Sequence, residues 1–155
     1  MKITNNRKLR LSYYFFDWAN SPFSTIIITF IISSYFVNKI APDKISGTSL
    51  WGWTIAASGF LVATLGPILG HIADNKKSFS SNVLIIFTIL IAFLCSMLWF
   101  VIPNQKFILF TLLIILLANT FFEISQIFYN SFLPKFKNNI PLGEFSGTAW
   151  AYGYL

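Results

Sequence analysis

Charged residues divide the chain into four long uncharged stretches. These stretches cover residues 18–38, 45–73, 78–105 and 107–122. The apolar core of a bilayer is roughly 30 Å thick, so a helix rising about 1.5 Å per residue needs about 20 apolar residues to cross it. The first three stretches reach that length, and the fourth reaches it by continuing through Glu123 to Leu133. The pattern therefore predicts four transmembrane helices, at about residues 14–37, 50–72, 83–102 and 107–133.

The fold class that this pattern indicates is an all-α membrane protein. Lipid cannot hydrogen-bond to exposed backbone groups, so only helices and closed barrels cross it. The four stretches lack the alternation of apolar and polar residues that is typical of barrel strands. We therefore expect helices in all four spans.

The segments that flank the four helices differ in character. Residues 1–13 form a basic N-terminal segment, and residues 134–144 form a loop in which Pro134 and Pro141 interrupt the helix. Residues 145–155 become apolar again, but this segment covers only about 16 Å as a helix. We expect residues 145–155 to be the truncated start of a fifth transmembrane helix.

The amino-acid composition indicates the kind of partner. Of 155 residues, 55% are hydrophobic and only 10% are charged, whereas soluble domains carry about 25% charged residues. These values exclude an ordinary soluble domain and a disordered tail, and the single Cys95 excludes a disulfide scaffold. The net charge of +6 comes from short basic clusters rather than the continuous basic face of a nucleic-acid-binding protein. We expect a lipid bilayer as the partner, and no nucleic acid.

Lysine and arginine are divided unevenly between the two sides of the predicted membrane. The side of the N-terminus holds eight: Lys2, Arg7, Lys8, Arg10, Lys76, Lys77, Lys135 and Lys137. The opposite side holds three: Lys39, Lys44 and Lys106. Cytoplasmic loops carry the excess of basic residues, so we expect a cytoplasmic N-terminus. The frequent Ile, Phe, Asn and Lys are typical of AT-rich bacterial genomes, so we expect a multi-pass protein of the bacterial inner membrane.

Polar residues follow one face of the fourth predicted helix. Asn119, Glu123, Gln126 and Asn130 are spaced four, three and four residues apart, which aligns them along the helix. A central carboxylate in a membrane costs roughly 3 kcal/mol, so this face is expected to point inward. Two interpretations remain open: a structural carboxylate satisfied by a neighbouring helix, or the lining of a water-filled cavity.

The first predicted helix carries a similar polar face with Asp17 and Asn20. Asp17 lies about one turn inside the cytoplasmic end, close to Arg10. Near a helix N-terminus, the helix dipole and basic neighbours stabilise a carboxylate. Asp17 is therefore either an interfacial carboxylate or part of a transport site or gate.

The second predicted helix carries small residues instead of polar ones. Gly59, Ala63, Gly66 and Gly70 form a strip that lets two helices approach closely, with Pro67 as an expected kink. We interpret this strip as a helix-packing surface. The third helix carries no comparable pattern and is expected to face lipid.

No catalytic motif is present in the sequence. There is no metalloprotease HExxH, no GxSxG nucleophile motif and no glycine-rich phosphate loop. His71 has no second histidine or cysteine at ligand spacing, so no metal site is indicated. We expect no enzyme activity and no cofactor.

Three segments resemble sequence patterns of one transporter family. Residues 14–23, YFFDWANSPF, are similar to the opening pattern YDWANSAF of the "unknown major facilitator" branch of the major facilitator superfamily. Fungal vacuolar amino-acid effluxers linked to autophagy belong to that branch. Residues 128–134, FYNSFLP, resemble the end of its fourth helix, and residues 145–155, FSGTAWAYGYL, resemble its entry into the fifth. The chain resembles the N-terminal third to half of such a protein.

The resemblance implies a fold, a mechanism and a substrate path. Such transporters have two six-helix halves that bind a solute between them and expose it alternately on either side. Their first and fourth helices line the cavity, whereas the third is peripheral. On this chain the resemblance therefore assigns six residues to the path: Asp17, Asn20, Asn119, Glu123, Gln126 and Asn130.

A further resemblance concerns the connection between the second and third helices. Residues 66–74, GPILGHIAD, are similar to the superfamily's gating loop, which assigns Gly70 and Asp74 to that loop. The superfamily pattern continues with a basic residue and a glycine, but this chain has Asn75 and Lys77 there.

Two functional hypotheses follow from the sequence. The first is a fragment or split part of a secondary transporter for small solutes, amino acids among them, in which a protonatable Glu123 couples movement to a proton gradient. The second is a membrane protein that does not transport, being either a partner that docks with a separately encoded remainder or a vestigial product.

Overall fold

The computed structural model describes residues 2–75, 77–136 and 141–153. Its α-helices are α1 (Lys2–Pro22), α2 (Ile31–Tyr35), α3 (Lys44–Asn75), α4 (Lys77–Met97), α5 (Ile108–Asn130) and α6 (Leu142–Gly153). Shorter helical segments connect them: π-helices at Phe23–Phe30 and Phe36–Ile40, and 3₁₀ turns at Leu98–Phe100, Gln105–Phe107 and Leu133–Phe136. Lys76, residues 137–140 of the predicted loop and residues 154–155 of the predicted fifth helix lie outside the described residues.

In the part of the chain that the structure describes, four helical spans are long and apolar enough to cross a membrane. They are Arg7–Ile40, Lys44–Asn75, Phe79–Phe100 and Gln105–Asn130. The predicted fold class, an all-α protein with four membrane spans, is confirmed. The first two helices extend farther at both ends than the hydrophobic pattern indicates, because polar residues continue a helix beyond its apolar part.

Proline positions explain where the last helices end and begin. The fourth span ends at Asn130, before the predicted Leu133, and a 3₁₀ turn follows at Leu133–Phe136. Pro134 disfavours α-helical geometry at the residue before it, which explains this early end. α6 begins at Leu142, three residues before the predicted start at 145. The Pro141 carbonyl accepts the first bond of this helix, from the Phe145 N–H at 3.0 Å.

The first span changes its helical register after Pro22. Proline has no N–H to donate to the carbonyl four residues earlier, so the α-helical ladder is interrupted there. The chain continues as a π-helix over Phe23–Phe30. Hydroxyl groups bond to backbone carbonyls through this region, including Thr25 Oγ1 to Ser21 O and Thr29 Oγ1 to Ser24 O, both at 2.8 Å. Such side-chain bonds compensate for irregular backbone inside a membrane.

α5 is the central helix of the bundle, since it packs against both α3 and α4. Its buried side chains include Ile115, Ala118 and Phe128, each at most 1% exposed. Ala118 packs with Phe23 of the first span and Ile91 of α4. Ile91 is the only buried hydrophobic residue in the described part of α4, which leaves most of that helix exposed.

The small-residue strip of α3 contacts α5 along half of its length. An added Cβ on Gly66 or Gly70 would lie 3.4 or 3.7 Å from side-chain atoms of Ile127. A Cβ on Gly59 would meet nothing within 4 Å, and Ala63 is exposed. The helix continues through Pro67 to Asn75. For Gly59 and Ala63, a role in helix packing stays a prediction.

Candidate functional site

A polar cleft lies between α1, α5 and α6. It consists of two adjoining cavities of about 230 and 290 Å³, and Asp17, Gln126 and Trp150 line both of them. The remaining lining residues are Tyr13, Asn20, Ser21, Ser24, Thr25, Phe122, Tyr129, Asn130, Ser146, Gly147, Ala149 and Gly153. Polar and aromatic side chains from three helices therefore meet in one place within a largely apolar bundle.

A close approach between α6 and α1 forms one wall of this cleft. A Cβ added to Gly153 would lie 2.7 Å from Ser21 Oγ and 3.4 Å from Asp17 Oδ2. A distance below 3 Å is a steric overlap, so glycine permits this spacing of the two helices. The Ser21 hydroxyl in turn donates to the Asp17 carbonyl at 2.9 Å.

Aromatic side chains pack beside the cleft, near the N-terminal part of α1. The rings of Tyr13 and Tyr129 stack with centroids 4.0 Å apart, and the Tyr129 hydroxyl donates to the Tyr13 carbonyl at 3.0 Å. Phe145 of α6 lies 5.2 Å from the Tyr13 ring, and Tyr14 stacks on Tyr152 at 5.2 Å. This aromatic cluster connects α1, α5 and α6, and sequence reasoning missed it. The sequence does carry a signal for this cluster, because aromatic residues are concentrated in the three segments that resemble the family.

The structure brings four of the six predicted path residues together. Asp17 and Asn20 of α1 and Gln126 and Asn130 of α5 line the cleft. They come from spans more than a hundred residues apart in sequence. Helical periodicity aligned each pair on its own helix, and the packing of the bundle places the two pairs around one space.

Asn119 has a different position from the rest of the polar face. Its Nδ2 donates to Ser58 Oγ of α3 at 2.7 Å, and both side chains are buried. A buried amide needs such a partner, because leaving it unpaired costs about 1–3 kcal/mol. Asn119 therefore connects α5 to α3 and does not line the cleft.

Glu123 also lies outside the cleft, although it is close to it. Its side chain is exposed and lines neither cavity. In a helix with 3.6 residues per turn, it points about 60° away from Gln126. Glu123 thus lies on the α5 surface between the cleft and Ile127, which packs against α3.

The predicted gating residues lie away from the cleft. Asp74 is exposed at the end of α3, and Gly70 faces Ile127. Within the described residues, no three His, Cys, Asp or Glu side chains come together in a metal-binding group.

The three segments that resemble the transporter family meet at this cleft. Asp17 and Asn20 come from the first segment, Tyr129 and Asn130 from the second, and Trp150 from the third. Residues 33–147 of the chain match the family described as "Vacuole effluxer Atg22 like". The chain belongs to this family. The resemblance to a major facilitator branch is therefore confirmed.

A curated bacterial protein supports membership of the Atg22-like family. The chain is 31% identical over 153 residues to the "Uncharacterized MFS-type transporter YxiO" of Bacillus subtilis (strain 168). The match covers 93% of this chain but only 34% of the Bacillus protein, so the chain spans about a third of that relative's length. No solved structure matches the chain.

Proposed function

We propose that this chain forms the first four spans and the beginning of the fifth in a transporter that moves small solutes by alternating access. The polar cleft between α1, α5 and α6 is the part of the solute path that the chain supplies. The observation that carries this proposal is the convergence on the cleft of three distant segments that resemble the family. Polar residues grouped inside a membrane are expensive unless they serve a path or a partner.

Within this path, Asp17, Asn20, Gln126 and Asn130 contact the solute. Asn119 acts through its bond to Ser58, which holds α5 against α3. The aromatic cluster packs against one end of the cleft, where the Tyr129 hydroxyl joins α5 to the backbone of α1. Opening at that end would separate these helices and break this bond.

The exposed position of Glu123 is an argument for further helices beside those of this chain. A carboxylate that faces lipid costs roughly 3 kcal/mol at the bilayer centre. Glu123 is exposed on the bundle surface next to the cleft. We therefore propose that further helices, on a longer polypeptide or on a separately encoded chain, enclose an aqueous space around Glu123.

The proposed orientation places the N-terminus in the cytoplasm of a bacterial cell. The first and third spans end on the same side of the bundle, because Tyr35 donates to the Val101 carbonyl at 3.3 Å. That side carries Lys39, Lys44 and Lys106, and the excess of basic residues falls on the other side. The positive-inside tendency supports the cytoplasmic assignment.

Cysteine labelling in membranes tests whether the cleft is a water-filled path. Single cysteines at Ser24 and Ser146 are introduced into a Cys95→Ser background, since both residues line the cleft. Only the thiolate reacts with a maleimide, and thiols ionise poorly in lipid. We expect both positions to react at least about tenfold faster than a control in the membrane interior.

The matched control is Ile89→Cys on α4. Ile89 is 62% exposed and lies near Ile91, which packs against Phe23, so its depth is similar to that of Ser24. Equal reaction rates at Ser24 and Ile89 would contradict an aqueous cleft and would favour the non-transporting alternative.

A further inference from the structure

Four side chains of the first span that line the cleft use hydrogen-bond donors within that span. The bonds run from Asn20 Nδ2 to Phe16 O (2.8 Å), from Ser21 Oγ to Asp17 O (2.9 Å), and from Ser24 Oγ (3.1 Å) and Thr25 Oγ1 (2.8 Å) to Ser21 O. Each hydroxyl has one hydrogen to donate but two lone pairs, so its oxygen can still accept. This wall of the cleft therefore offers acceptors and few donors.

The charged residues of the lining also favour a ligand that donates hydrogen bonds. Asp17 is the acidic residue of the cleft, and the described lining contains no Lys, Arg or His. Within the described part of the chain, the Asp17 carboxylate has neither a hydrogen bond nor an ion pair, although its backbone carbonyl accepts from Ser21. Carboxylates inside a membrane pair with a cation or face water. The position opposite Asp17 is therefore open to a cationic ligand.

The aromatic side chains of the lining suit a cationic ligand. Trp150 lines both cavities and is 67% exposed. Indole and phenol rings attract cations through their negative faces, and tryptophan does so most strongly. Tyr13 and Tyr129 add aromatic surface at the neighbouring wall.

We infer that the cleft binds the ammonium group of an organic amine, with Asp17 as its counter-ion. This inference rests on the proposed solute path and gives it a substrate class. A primary ammonium carries three donors and no acceptor, which complements a lining of one carboxylate and several acceptor oxygens. Binding of a charged donor to Asp17 would form a charge-assisted hydrogen bond, which is stronger than a bond between neutral groups.

A carboxylate on the solute would weaken this binding. The amides of Gln126 and Asn130 provide neutral donors, but the described lining contains no cation that would offset a further negative charge. Asp17 would repel such a carboxylate more strongly than it would in bulk water, because protein groups surround the cleft. The cleft therefore selects an amine over the amino acid that differs from it by one carboxylate.

Calorimetric titration of the full chain tests this selectivity. The chain is placed in nanodiscs of phosphatidylglycerol, which has no amine headgroup, and titrated with 3-methylbutylamine, leucine and 4-methylpentanoate. These compounds share a branched skeleton and carry an ammonium, both charges and a carboxylate, respectively. We expect the amine to bind at least about tenfold more tightly than leucine, and the carboxylate to show no binding.

Two variants distinguish the specific role of Asp17 from the effect of removing any one negative charge. Asp17→Asn keeps the size of the side chain, and we expect it to weaken amine binding by about tenfold or more. Asp43→Asn removes one negative charge outside the cleft and is expected to bind the amine like the unmodified chain. Thermal unfolding of each variant verifies that it is folded.

Several outcomes would overturn the inference. Leucine or 4-methylpentanoate binding as tightly as the amine would contradict the selectivity, as would amine binding that survives Asp17→Asn. Absence of amine binding at millimolar concentration would also overturn it. If Ser24→Cys and Ser146→Cys still reacted rapidly with maleimide, the proposed path would stand and only the substrate class would be wrong.

Discussion

Asp43 shows how a single side chain begins a membrane helix. Its Oδ1 accepts the backbone N–H groups of Ser46 at 2.9 Å and Ile45 at 3.0 Å, and its Oδ2 accepts the Ser46 hydroxyl at 2.7 Å. These bonds satisfy donors that the first turn of α3 cannot pair internally. The bonds from the Ser46 backbone and hydroxyl, followed by that from Ile45, lower the pKa of the Asp43 carboxyl.

The cap predicts a pH dependence of stability. The pKa of Asp43 in the folded chain lies below its unfolded value of about 3.9. The carboxylate therefore contributes fully to folding stability above that value, and this contribution is lost as pH falls through the folded pKa. We expect Asp43→Ala to lower the thermal unfolding midpoint in detergent at pH 7, and Asp43→Asn to lower it less. The difference between the unmodified chain and Asp43→Ala should narrow below about pH 4. A midpoint of Asp43→Ala equal to that of the unmodified chain at pH 7 would exclude the cap.

Helical periodicity made the shared face of some cleft residues predictable from the sequence. The spacing of Gln126 and Asn130 placed both on one face of α5, and both line the cleft. The same spacing could not separate Asn119 from them. The partner of Asn119 is Ser58, 61 residues away in sequence, and periodicity within one helix carries no information on contacts between helices.

At the scale of helices, Gly47 determines how closely the first span and α3 can approach at their shared turn. A Cβ at this position would lie 2.7 Å from Ala41 Cβ and 3.1 Å from Val37 Cα. The second of these neighbours is backbone, which cannot move away by rotation of a side chain. The turn between the two spans therefore requires glycine here.

We expect Gly47→Ala to destabilise the protein by about 1–3 kcal/mol, the usual cost of overpacking. Gly52→Ala is the matched control on the same helix, because an added Cβ there meets nothing within 4 Å. Alanine is the better helix former by about 1 kcal/mol, so the control should be unchanged or slightly more stable. Thermal unfolding monitored by circular dichroism measures both variants. Equal midpoints for the two substitutions would contradict the close packing.

The elements themselves were predictable because bilayer thickness imposes a length on each span. The four uncharged stretches therefore indicated the number of spans correctly. The π-helix at Phe23–Phe30 was not predictable in the same way. Pro22 marks an interruption, but the register that follows depends on hydroxyl bonds such as that of Thr29 to Ser24, which lie outside the pattern of apolar residues.

At the scale of the whole molecule, the chain matches about a third of its Bacillus relative, 34% of that protein's length. Alternating access requires two parts that move against each other around one site. The α5 surface that bears Glu123 lies beside the cleft and is exposed. A shared aqueous space between this surface and further helices would bring Glu123 and the solute path into contact with the same water.

Replacing the matching segment of the Bacillus protein with this chain tests the complete proposal. We expect the chimera, reconstituted in proteoliposomes, to take up a radiolabelled amine in response to a pH gradient. A carboxylate in the shared aqueous space can exchange protons, whereas an amide cannot. Glu123→Gln should therefore remove the dependence of uptake on the pH gradient. The control Ile89→Leu, on the exposed face of α4, should leave that dependence unchanged. Uptake by Glu123→Gln with an unchanged pH dependence would show that Glu123 has no coupling role. A folded chimera without any uptake would favour the non-transporting alternative.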